Sequence, residues 1–107
     1  MKLPPDSIIA PQKLHDYLLK HRDVDDKSRF LSLAGYDRTH ANLLEREIRA
    51  LLTQEAQPIE TTEYVNKFSI SGVLVGPNGR QLRVRTIWAK LFTTGETRFV
   101  TLYPDRS

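Results

Sequence analysis

The sequence contains no cysteine. That absence excludes disulfide bridges, thiolate metal sites and a cysteine nucleophile. No run of about eighteen apolar residues occurs, and the N-terminus lacks the apolar core of a signal peptide, so we expect no membrane span and a cytoplasmic location. The three histidines, His15, His21 and His40, show no paired i, i+4 spacing, so we expect no metal site and no other cofactor.

Composition and charge favour a globular domain with a basic half. The 107 residues suit one domain, which we expect to divide into a helical half, residues 1–56, and an antiparallel sheet, residues 60–107. Residues 1–60 contain nine Lys/Arg and ten Asp/Glu, whereas residues 61–107 contain seven and three. This basic bias makes an anionic partner such as nucleic acid plausible, and a well-solvated sheet surface is the alternative interpretation.

Three segments of the N-terminal half carry apolar residues at helical spacing. The first, Lys13–Leu19, follows Pro11, which suits an initial helical turn. The second ends at Gly35, a residue typical of helix C-termini. The third and longest begins at Asp37 or Thr39, both suitable N-caps. Its predicted core positions are Leu44, Ile48, Leu51 and Leu52.

The C-terminal half has the pattern of strands. A linker at Gln57–Glu63 precedes a run of period two, in which Gly72 indicates a bulge or bend. Gly76–Gly79 and Thr93–Glu96 are turn signals, and a last strand follows at Arg98–Tyr103. The sequence therefore predicts an α+β fold, with three N-terminal helices followed by a three- or four-stranded antiparallel sheet.

Two pairs of cations are candidates for binding phosphate. Arg83 and Arg85 project from one strand face, roughly 6–7 Å apart, so their guanidinium groups can hold one phosphate together. Lys27 and Arg29 begin the second predicted helix, in a segment that could reach over the sheet. The alternative is that these cations are surface residues paired with nearby carboxylates. Those carboxylates would be Asp23, Asp25, Asp26 and Glu63.

Aromatic and hydroxyl side chains form a second candidate group on the last strands. Trp88 and Tyr103 could stack on bases, and the hydroxyls of Thr86 and Thr101 could bind phosphate or substrate. The alternative interpretation places Trp88 in the core and explains the threonines as ordinary strand residues.

Four motifs in order resemble a family of short, uncharacterised bacterial domains, which occur alone or at the C-terminus of large toxins. The motifs are Asp26–Leu31 with Ala34–Tyr36, Gly76–Gly79, Leu82–Trp88 and Arg98–Pro104. That layout resembles the barnase, EndoU, colicin and RelE-like ribonuclease superfamily. The resemblance implies a toxin-like, metal-independent endoribonuclease, controlled by an antitoxin or immunity protein encoded beside it.

The resemblance also implies roles for residues. Such enzymes activate the ribose 2′-hydroxyl and stabilise a pentacoordinate phosphorane with cations. Lys27 and Arg29 match the helical basic motif. The strand motifs are matched by Arg85, Thr86, Thr101 and Tyr103. We expect the catalytic residues to be Lys27, Arg29, Arg85, Thr101 and Tyr103, and the substrate-binding residues to be Arg83, Thr86, Asp26 and His21.

One position departs from the family pattern. Many relatives have a histidine directly before the helical lysine, where this chain has Asp26. An aspartate with an ordinary pKa of about 3.9 is a weak base near neutral pH unless burial raises it. The residue that transfers the proton is therefore open between Asp26, His21 and His15, and the departure places catalysis itself in question.

Two further hypotheses come from other functional classes. A non-catalytic module on the same scaffold would bind RNA or an acidic protein through its basic sheet without cleaving anything. An interaction protein would instead pair an exposed strand edge with a strand of its partner.

Overall fold

Two short α-helices and a four-stranded sheet make up residues 1–14 and 27–105, which the computed structural model describes. Helix α1 is Lys27–Ser32 and helix α2 is Ala41–Ala50. Single 3₁₀ turns precede and follow α2, at Arg38–His40 and Leu51–Thr53. The strands are β1 Gln57–Thr61, β2 Val65–Val75, β3 Gln81–Leu91 and β4 Thr97–Pro104.

The prediction of three N-terminal helices is wrong, because the described residues contain two α-helices. Most of the first predicted helix, Lys13–Leu19, lies outside those residues. The start of the chain is partly extended, since Ile8 forms a parallel bridge with Arg98 of β4. Helix α1 has only six residues, and Gly35 follows it at φ 88°. No helix within residues 1–14 and 27–105 has the length and hydrophobicity needed to cross a bilayer.

The helix predicted to begin near Asp37 is present. The carboxylate of Asp37 accepts a hydrogen bond from the backbone N–H of Thr39 at 2.9 Å, which caps the first turn. The predicted core positions are confirmed as buried: Leu44, Ile48, Leu51 and Leu52. One apolar side of this helical segment therefore covers the sheet.

The sheet is an antiparallel meander in the order β1-β2-β3-β4. Strand β1 occupies most of the segment predicted as a linker, so the sheet begins at Gln57 rather than at residue 60. All five residues of β1 are exposed, so it lacks the apolar alternation that marks other strands. Pro58 and a register shift before Glu60 disfavour further strand pairing at this edge.

The two faces of the sheet differ in their side chains. The helix-covered face carries the core residues Phe68, Ile70, Leu74, Leu82, Val84, Trp88, Phe99 and Leu102. Trp88 is fully buried, edge-on to Phe99 with ring centroids 5.4 Å apart, which confirms its assignment to the core. Gly72 marks a close approach of Leu51, and the pairing of β2 with β3 runs through it without a bulge. The opposite face, called the open face below, carries Arg83 and Arg85 at its exposed end, whereas Ser69, Ile87 and Thr101 farther along it are buried.

Candidate functional site

A groove of about 720 Å³ lies where α1 meets the start of β3 and the end of β4. Four cationic side chains line it: Lys27 and Arg29 from α1, Arg80 before β3, and Arg83 on β3. The other lining residues are Phe30, Leu33, Gln81, Leu82, Tyr103, Pro104 and Asp105. We call this the cationic groove.

The turn between β2 and β3 closes one end of the cationic groove. The side-chain amide of Asn78 donates to the carbonyl of Leu33, and its backbone N–H donates to that of Ala34, both at 3.2 Å. A side chain at Gly76 would collide with Ala34, so only glycine permits this approach. The turn is thus fastened to the loop after α1, and Arg80 is held at the groove.

Lys27 is the most enclosed of the four cations, with 6% of its surface exposed. Its Nζ donates to the hydroxyl of Thr101 at 2.8 Å and lies 4.5 Å from the centre of the Tyr103 ring. A buried ammonium requires such partners, because removal from water without them is costly. The two strand residues therefore fix the position of the lysine at the base of the groove.

The arginines of this region have no carboxylate partner among the described residues. Arg29, Arg83 and Arg85 are exposed, and none forms an ion pair within residues 1–14 and 27–105. Of the partners considered from sequence, Glu63 lies on a different part of the sheet, before β2. The other three, Asp23, Asp25 and Asp26, lie outside the described residues. Within those two ranges no carboxylate is paired with these guanidinium groups, which suits them to an anionic ligand.

Arg85 lies beside the cationic groove. Its register partner on β4 is Tyr103 and its partner on β2 is Ser71, so it shares the open face with them. The structure thus brings Lys27, Arg29 and Tyr103 into one groove, with Arg85 next to it.

Thr86 is placed elsewhere. It is fully buried on the helix-covered face, where its hydroxyl donates to the carbonyl of Ile70 and accepts from the Trp88 indole, both at 2.8 Å. We therefore leave Thr86 out of the candidate site and assign it to the core. His15, His21 and Asp26 lie outside the described residues.

Sequence reasoning missed Arg80, Leu33 and Asp105 as lining residues. Arg80 directly follows the Gly76–Gly79 turn, which the sequence analysis treated only as a turn. A cation next to a glycine-rich turn was the available signal. Leu33 gave none, because an apolar residue shortly after a helix is ordinarily expected in the core.

Tyr36 does not line the groove but stabilises the loop after α1, which forms one wall of it. Its phenol donates to the carbonyl of Val75 at 2.6 Å, which ties the loop after α1 to the end of β2. Burial, with a smaller effect from the Glu47 carboxylate, raises the pKa of Tyr36 to about 12.

Residues 5–106 match the family described as "Domain of unknown function (DUF6883)". The chain belongs to this family. The resemblance to a family of short uncharacterised domains is therefore confirmed. No curated protein sequence matches the chain.

A solved structure shares the fold. It is a chain of the complex named "Contact-dependent growth inhibition toxin - immunity protein complex from Klebsiella pneumoniae 342", with a TM-score of 0.72 and 16% identity. The match covers 92% of this chain and 100% of that chain. At such identity the likeness establishes the fold alone. Neither match bears on ribonuclease activity, so the resemblance to the ribonuclease superfamily is not confirmed.

Proposed function

We propose that this chain is a toxin-like endoribonuclease domain that cleaves RNA without a metal ion, with the cationic groove as its phosphate site. The observation that carries the proposal is the convergence of Lys27, Arg29, Arg80 and Arg83 on one groove beside Tyr103. Cations from separate elements that surround one hollow suit a ligand with concentrated negative charge.

The chemistry needs charge stabilisation more than any other single contribution. When the ribose 2′-oxygen attacks phosphorus, an O2′–P bond forms and the P–O5′ bond breaks, which yields a 2′,3′-cyclic phosphate and a 5′-hydroxyl. Negative charge accumulates on the phosphorane oxygens between these events. Lys27 is held in place by Thr101 and Tyr103, so it requires little reorganisation to meet that charge. The arginines would bind the same phosphate and its neighbours.

Two proton transfers complete the reaction. A base takes the proton of the 2′-hydroxyl, and an acid gives one to the leaving 5′-oxygen. Asp26, His21 and His15 remain the proposed candidates for these steps. Tyr103, which lines the groove, is proposed to orient or stack the substrate.

The shared fold supports control by a protein partner. The solved complex of that fold contains a toxin and an immunity protein, and we propose by analogy that an immunity protein or antitoxin binds this chain. An acidic surface on the partner would complement the cationic groove and exclude RNA from it.

The test is cleavage of RNA by purified protein in EDTA. We expect products that end in 2′,3′-cyclic phosphate, and a loss of at least about 100-fold in rate for Lys27→Met, since removal of one preorganised charge donor has that order of effect. Lys90→Gln is the matched control, an exposed lysine of β3 outside the groove. RNA that is equally stable with wild type and with Lys27→Met would remove the catalytic proposal.

The second candidate is a non-catalytic module that binds RNA through the same groove. Asp26 favours it, because the family resemblance set out from the sequence implies a histidine at this position and this chain has none there. Binding that weakens steeply with salt, without turnover at any pH, would select this candidate.

A further inference from the structure

Exposed apolar side chains flank the arginines of β3 on the open face. Val73 of β2 pairs in register with Arg83, and Tyr103 of β4 pairs with Arg85. Val73 is 42% exposed and Tyr103 is 47% exposed. On the open face, Val73 therefore adjoins Arg83 on the β2 side and Tyr103 adjoins Arg85 on the β4 side, while Asp105 and Ser71 are the other neighbours of these two arginines.

Leu33 adds to this apolar surface at the cationic groove. It is 47% exposed, and the hydrogen bond from Asn78 to its carbonyl holds its backbone in place. An exposed leucine fixed beside arginines suits a ligand that brings both negative charge and apolar surface. A ligand that offers only phosphates would leave the leucine and the valine without a function.

Single-stranded nucleic acid combines these two properties. Its backbone can follow a cationic groove while its bases contact aromatic and apolar side chains. An RNA duplex instead presents phosphates, sugars and a shallow groove, with its base faces hidden in the stack. A groove of about 720 Å³ also lies within the range of roughly 300–1,000 Å³ that suits a small ligand, so it has room for one nucleotide of such a strand.

The spacing of the arginines agrees with an extended strand. Residues two apart on a strand lie roughly 6–7 Å from each other on one face. That distance is comparable with the separation of consecutive phosphates in an unstacked single strand. Arg83 and Arg85, whose flexible side chains also allow both guanidinium groups to meet at one phosphate, can therefore bind neighbouring phosphates of an extended strand.

We infer that the substrate is an unpaired stretch of RNA whose backbone lies along Arg83 and Arg85. Its bases contact Tyr103 and Leu33 on one side and Val73 on the other. The inference rests on the proposed function and names its substrate class.

The experiment measures binding by fluorescence anisotropy in EDTA with three probes. They are a short single-stranded RNA, 2′-O-methylated so that it cannot be cleaved, its duplex, and inorganic polyphosphate as a competitor without bases. Leu33→Ser and Val73→Thr remove apolar surface at exposed positions, where folding is not at risk. Phe92→Ser is the matched control, an exposed apolar residue just after the far end of β3.

We expect the single strand to bind at least about tenfold tighter than the duplex. Leu33→Ser and Val73→Thr should each weaken single-strand binding about threefold to tenfold and leave competition by polyphosphate unchanged. The control Phe92→Ser should bind the single strand like wild type. Equal affinity for both RNAs, or apolar variants that bind like wild type, would overturn the inference and leave the proposed RNA site standing. If neither RNA binds, both the inferred substrate class and the proposed function are wrong.

Discussion

Cations occur in two regions of this sheet, with different neighbours. Outside the groove, Arg98 pairs with Glu96 at 2.8 Å, and Lys67 pairs with Glu60 at 3.4 Å. In and beside the groove, Arg29, Arg83 and Arg85 have no such carboxylate within the described residues. Exposed ion pairs contribute little stability, at most about 1 kcal/mol, so the pairs are not needed for the fold. Within the described residues, four cationic side chains and one carboxylate, Asp105, line the groove, and this excess of positive charge favours an anionic ligand.

The largest expected effect tests whether Lys27 differs in kind from the arginines. Lys27→Met keeps the length of the side chain but removes the charge that Thr101 and Tyr103 hold in place. We expect RNA cleavage to fall by at least about 100-fold, measured as single-turnover rates with saturating protein. Thermal unfolding should show a folded variant, because a methionine suits this enclosed site. If the cleavage rate of Lys27→Met falls no further than that of an arginine variant, Lys27 has no special role among the four cations of the groove.

A smaller loss is expected when the lysine is kept and its support is removed. Thr101→Val deletes the hydroxyl that accepts the Lys27 hydrogen bond and preserves the side-chain shape. We expect a fall of roughly tenfold in cleavage rate, because a buried group that loses its hydrogen-bond partner costs about 1–3 kcal/mol. Thr101→Ser retains the hydroxyl and should restore most of the rate. If serine and valine behave alike, the hydroxyl does not position Lys27.

Arg83→Gln compares an unpaired cation with a paired one on the same sheet. We expect RNA binding to weaken by about fivefold, and the slope of log K against log salt to become shallower by about 0.7, the value for one phosphate contact on a single strand. Arg98→Gln is the control, because Glu96 already occupies its guanidinium group. An equal change in both variants would show that the net charge of the protein, and not the groove, governs binding.

The sequence predicted those parts of the molecule whose residues carry a strong local pattern. The third predicted helix, the Gly76–Gly79 turn and strands β2 to β4 all have clear periodicity or turn residues. Strand β1 lacked both, because an edge strand exposed along its whole length needs no apolar alternation. The prediction of three helices was wrong because it depended on a few apolar residues at helical spacing, in segments without clear signals for where a helix begins and ends.

The candidate site was predictable by residue type more than by position. Lys27, Arg29, Arg83 and Tyr103 were named from sequence because cations and aromatics bind phosphates and bases. Thr86 was misplaced since strand alternation alone does not say which face is covered, although Trp88 on the same face indicated the core. Arg80 reaches the groove because the Gly76–Gly79 turn is hydrogen-bonded to the loop after α1, and no local sequence pattern predicts such a contact between distant residues.

The smallest expected effect concerns the wall of the groove rather than its charges. Tyr36→Phe removes the hydrogen bond to Val75 and should lower the free energy of unfolding by about 1 kcal/mol at pH 8, with RNA binding unchanged. Because the pKa of Tyr36 rises from 10.0 to about 12 on folding, the unfolded chain loses this proton first as the pH increases. Wild type therefore loses stability as the pH rises between these two pKa values, whereas Tyr36→Phe does not. The difference in urea midpoint between wild type and Tyr36→Phe should consequently be smaller at pH 11 than at pH 8. A gap of the same size at both pH values would mean that Tyr36 titrates alike in the folded and unfolded chains.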